Sequence, residues 1–93
     1  MNTFLRTPES LYNYIKNNQN MADLKAQIAD NEKDLDLLDQ SIKRYEEANF
    51  AGVVEVLSRS YNKLMQKTLL LKLKLNEVEK QNLLFELQSL TSN

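Results

Sequence analysis

The side chains here that can do chemistry are carboxylates, amines and phenols, because histidine and cysteine are both absent. General acid–base catalysis near neutral pH usually falls to histidine or to a carboxylate perturbed in a pocket. Thiolate nucleophiles, thiolate metal sites and disulfides are removed together with cysteine. The densest carboxylate cluster is Asp30-Asn31-Glu32-Lys33-Asp34. Its acids are strung along a helical pattern with no glycine-containing loop, which does not match a calcium-binding loop and reads as a solvated face. Tyr12, Tyr14, Tyr45 and Tyr61 fall where amphipathic core or seam-edge residues belong. Arg59, Lys63, Lys67, Lys74 and Lys80 form a basic ridge, but the net charge is −1 and the facing segment is acidic. That balance gives no reason to expect nucleic acid. There is no phosphate-binding glycine loop and no metal-ligand spacing. The expectation is a protein that is not an enzyme and takes no cofactor and no metal.

What the sequence does carry is an apolar repeat. Met21, Leu24, Ile28, Leu35, Leu38, Ile42 and Tyr45 step by three and four. So do Val54, Leu57, Tyr61, Leu64, Leu71, Leu75, Val78 and Phe85. Such spacing lines one face of a helix with a coiled-coil seam. The two repeats are out of phase, and the break falls at Asn49 to Gly52, which contains the only glycine. A left-handed residue there would end one helix and let the chain fold back. The predicted fold class is therefore all-α: a long antiparallel helical hairpin of coiled-coil type, forming part of an intermolecular helical bundle, with a three-helix bundle as the alternative.

The predicted bounds are a flexible tail at residues 1–7, a first helix at 8–48, a turn at 49–52 and a second helix at 53–91. Thr7-Pro8-Glu9 is the start signal: threonine caps, proline suits the first helical position, and glutamate favours the positive end of the dipole. Asn17-Asn18-Gln19-Asn20 is a possible break, since asparagine competes for backbone hydrogen bonds. Folding back between Asn49 and Phe50 makes Tyr14 meet Phe85 and aligns the polar seam positions in pairs. Those pairs are Asn31 with Thr68, Asn17 with Asn82, and Ser10 with Ser89. A buried polar group costs free energy unless it is partnered, so aligned polar layers favour this register. Opposite helix charges favour it modestly: nine acids against five bases in 8–48, and four against six in 51–91. Asp34 should flank Lys67, and Lys25 should less favourably flank Lys72.

Some apolar residues lie off the seam. They are Leu69, Leu73, Leu83, Leu84, Leu87 and Leu90 on the second helix, with Leu11, Tyr12 and Ile15 on the first. A helix that is apolar on two faces usually touches more than one neighbour. These nine residues are the candidate partner-binding set, and the partner is one or more helical proteins, in a homo- or hetero-oligomer. The leading expectation is a non-catalytic coiled-coil subunit or adaptor in a multiprotein assembly. The alternatives are a small acidic chaperone shielding a partner's amphipathic helix, and a self-assembling scaffold. A chain of 93 residues is a single domain. No apolar run approaches the ~18 to 20 residues that cross a bilayer, and Met1 to Leu11 lacks the apolar core of a signal peptide. The expected location is cytoplasmic, with nuclear or complex-associated placement also open.

Overall fold

A computed structural model describes residues 7–91. They form two helices, α1 at Pro8–Glu47 and α2 at Ala51–Thr91, packed side by side as an antiparallel hairpin. The rod measures 69 × 17 × 14 Å, and its radius of gyration is 20.3 Å. A compact domain of this length would have a radius of gyration of about 12 Å. The fold is thus all seam: among the described residues each helix has one neighbour, and the opposite side of each is open.

Thr7 caps α1, its hydroxyl oxygen accepting the Ser10 amide at 3.2 Å. Pro8 occupies the first turn, where its missing N–H removes nothing. The tail predicted at residues 1–7 otherwise lies outside the described residues. The asparagine run does not break the helix; α1 continues through residues 17–20 to Glu47. Hydrogen bonds that Asn17 and Asn18 make with Asn82 on α2 supply the reason. No third helix forms among the described residues, and the hairpin reading stands without that alternative.

The reversal is tighter than residues 49–52. Ala48 ends α1 and Asn49 takes the left-handed conformation, φ 63°. The Asn49 amide donates to Glu46 O at 3.1 Å, and the Phe50 amide donates to Tyr45 O at 3.0 Å. Together these bonds make the two-bond helix stop that satisfies orphan carbonyls. The apolar contact that accompanies such a stop is present too, as Tyr45 and Phe50 meet edge to face at 6.0 Å. The helix resumes at Ala51, so Gly52 lies inside the first turn of α2 and not in the connection. The second helix therefore starts two residues before the predicted 53.

The core follows the predicted seam except at Tyr45, which is exposed and packs against Phe50. Leu24, Ile28 and Leu35 are buried on α1; Thr68 and Asn82 are buried on α2. The other seam residues from Ser10 to Ile42 and from Val54 to Ser89 are half-buried, as two helices alone allow. Register is shown by Tyr14 stacked on Phe85, ring centroids 4.6 Å apart. It is shown again by Asn17 hydrogen-bonded to Asn82. Asn31 and Thr68 form no such bond. Thr68, 1% exposed, donates its hydroxyl to its own helix at Leu64 O, 2.7 Å away. That bond satisfies the hydroxyl without help from the facing helix. Asp34 and Lys67 make no ion pair. Lys72 reaches Glu32 at 3.5 Å, where Lys25 had been the expected neighbour. Both groups are about half exposed, so the pair adds only tenths of a kcal/mol.

Candidate functional site

The open sides of the hairpin are where function must be sought. All nine predicted partner-binding residues are exposed, from Leu84 at 46% to Leu90 at 77%. They lie on both helices. Leu69, Leu73, Leu83, Leu87 and Leu90 run along the side of α2 that faces away from α1. Leu84 lies one step further round that helix. Leu11, Tyr12 and Ile15 sit on α1, at the height of Leu84 to Leu87 set by the Tyr14–Phe85 stack. All three lie at the free end of the rod.

The α2 group has an order that residue type alone conceals. Once the buried seam is known, the outer side reads Leu69, Leu73, Asn76, Lys80, Leu83, Leu87, Leu90. The steps are again four and three. This is the spacing of a coiled-coil seam, with two consecutive polar positions at its middle. Asn76, Lys80, Leu83 and Leu87 line one shallow groove together with Glu79 and Leu84. Among the described residues, Glu77, Glu79 and Lys80 make no ion pair within the hairpin. Sequence reasoning missed Asn76 and Lys80 because it collected apolar residues; their spacing was the available signal. Leu70, off the seam by sequence but not in the predicted partner-binding set, is exposed beside Leu69 in the way that Leu84 is beside Leu83. Leu37, Val56 and Phe50 are exposed as well, but stand apart from this stripe.

Polar chemistry is concentrated at the free end of the buried seam. Asn82, 4% exposed, receives a hydrogen bond from Asn17 Nδ2 at 3.1 Å and donates from its own Nδ2 to Asn18 Oδ1 at 2.8 Å. A second, longer bond from the same Nδ2 reaches Tyr14 O at 3.4 Å. This network occupies two members of the asparagine run, which is why α1 stays continuous there. Beside it the Tyr14 hydroxyl donates to Glu86 Oε1 at 2.6 Å. That bond favours the protonated phenol and raises the Tyr14 pKa above its ordinary value, with the Glu86 charge adding to it. Nearer the turn, Asp39 holds Lys43 at 3.0 Å and raises the ammonium pKa. On the basic ridge, Arg59 pairs with Glu55 at 3.8 Å.

The acidic stretch Asp30 to Asp34 stays distributed along α1. Among the described residues no group of three or more carboxylates gathers to hold a metal ion. Ala22, Ala26 and Ala29 are exposed on α1. No described helix is long and apolar enough to cross a membrane. The arrangement offers two kinds of surface: a buried seam completed within the hairpin, and a stripe of seam-like spacing on α2 that no other described residue covers. No family model, curated protein or solved structure matches the chain.

Proposed function

We propose that this protein is a non-catalytic helical-hairpin subunit, an adaptor that binds helical proteins within a multiprotein assembly through the outer side of α2. One observation supports this above all: the exposed leucines of α2 recur with the same three-and-four spacing that builds the hairpin's own core. Spacing of that kind matches a helix laid alongside. Scattered surface leucines need no explanation, but a stripe of five along one side of a helix is what interaction surfaces look like. The rod shape fits the role, because a 41-residue helix presents the stripe over its length without a compact body in the way.

The division of labour follows. Seam residues such as Leu35 and Leu64 hold the hairpin, and the outer leucines hold the partner. Leu87→Ala is expected to weaken association at least tenfold while leaving helicity near the parent value. Association is read from solution mass across a dilution series and from complexes purified from the native cell, and helicity from circular dichroism. Equal loss of both would sink the proposal.

A further inference from the structure

The outer stripe of α2 has a property that narrows its occupant. Laid antiparallel against itself about a two-fold axis at the height of Val78, it matches in every layer between Leu69 and Leu87. Leu69 meets Leu87 of the other copy, Leu73 meets Leu83, and Asn76 meets Lys80. Each pair then occurs twice, once on either side of the axis. No leucine faces a polar residue within that span, and the Lys80 side chain is given the Asn76 carbonyl oxygen to donate to. The parallel in-register alternative places Lys80 against Lys80, which is repulsive. The antiparallel alignment pairing Leu69 with Leu90 places Asn76 against Leu83, which leaves an amide facing a leucine.

Glu77 and Glu79 flank the stripe on its two sides close to the axis, where each approaches its own symmetry mate; the two Lys80 ammonium groups lie among these four carboxylates and offset that repulsion. Among the described residues, none of these groups is ion-paired within the hairpin. The remaining exposed leucines fall into place as well: Leu70 lies diagonally across from Leu84 of the other copy, on one edge of the contact. Area does not forbid it. The accessible surface is 7161 Å², whereas a compact monomer of this mass would show about 5,600 Å². The difference exceeds the ~800 Å² that each partner commits to an interface of standard size.

We infer that the outer seam of α2 is an isologous dimer interface for a second copy of this chain, antiparallel, with Asn76 of each copy against Lys80 of the other. This rests on the reading of the stripe as a helix-binding surface and supplies its partner. A closed two-fold contact uses the same patch on both subunits and leaves no open end for a filament. The polar layers act as a register key, since sliding the helices by one heptad, about two turns, sets Lys80 against Leu83 or Leu69.

Because the chain has no cysteine, single-cysteine variants report the register. Leu69→Cys and Leu87→Cys are made separately; each replaces an exposed side chain and leaves the hairpin seam intact. In the proposed dimer, either variant alone holds its two sulfurs far apart, because 18 residues of helix span about 27 Å. A disulfide needs Cα atoms within about 7 Å. Mild oxidation is therefore expected to link an equal mixture of the two variants and neither one by itself. The unmodified chain is expected to sediment at twice its 10.9 kDa mass. Cross-linking of either variant alone would overturn the antiparallel register. A helical monomer that makes no cross-link, yet binds another helical protein in a Leu87-dependent way, would overturn the second copy and leave the adaptor reading. A helical monomer with neither property would overturn both.

Discussion

Asn82 is buried on α2 with its carbonyl oxygen 3.1 Å from Asn17 Nδ2 on α1. The pair sits in the same layer of the seam and fixes how far one helix can slide along the other. Removing one partner strands the other's amide, whereas removing both replaces a polar layer with an apolar one. Asn82→Ala is expected to lower stability by about 1–3 kcal/mol. The double variant Asn17→Leu/Asn82→Leu is expected to recover most of that loss or exceed the parent. Urea unfolding at fixed chain concentration measures both, and a double variant weaker than Asn82→Ala would disprove the pairing as the source of the cost.

At the reversal the two residues best suited to left-handed backbone have opposite expectations. Asn49 is in that conformation, so Asn49→Ala is expected to cost about 1 kcal/mol. Gly52 is helical, and a Cβ there would meet nothing within 4 Å, so Gly52→Ala is expected to stabilise by about 0.5–1 kcal/mol. Thermal unfolding of the two variants decides it. A destabilising Gly52→Ala would count against helix at that position.

Burial separates the two leucine sets. Leu35 is 6% exposed and Leu73 is 64% exposed. Under dilution that leaves single hairpins, Leu35→Ala is expected to cost about 2–5 kcal/mol. Leu73→Ala is expected to stay within ~0.5 kcal/mol of the parent. Comparable losses in denaturant unfolding would mean that the outer stripe is covered within the chain.

The Tyr14–Glu86 bond has a pH signature. Donation to the carboxylate raises the phenol's folded pKa above its ordinary 10.0. Its contribution is therefore full below about pH 10 and is lost as pH rises through the raised folded value. Alkaline titration by phenolate absorbance is expected to show a late-ionising component that Tyr14→Phe removes. Ionisation of Tyr14 at or below the ordinary value would refute the bond.

The sequence by itself determined the two helices, the side of each that forms the core and the register between them. Those properties follow from local spacing: three-and-four steps put leucines on one line wherever the helix lies, and polar layers at matching heights choose the alignment. Tertiary structure alone decided the rest, because the competing outcomes were close in local energy. Asn17 to Asn20 remain helical because Asn82, distant in the chain, engages two of their side chains. Asn49 takes the left-handed position ahead of the only glycine because the phase of α1 places Tyr45 to be met by Phe50. Thr68 is satisfied by its own helix and asks nothing of Asn31. The order within the outer leucines became visible only after the buried seam had been located, since Asn76 and Lys80 join the stripe by position and not by hydrophobicity.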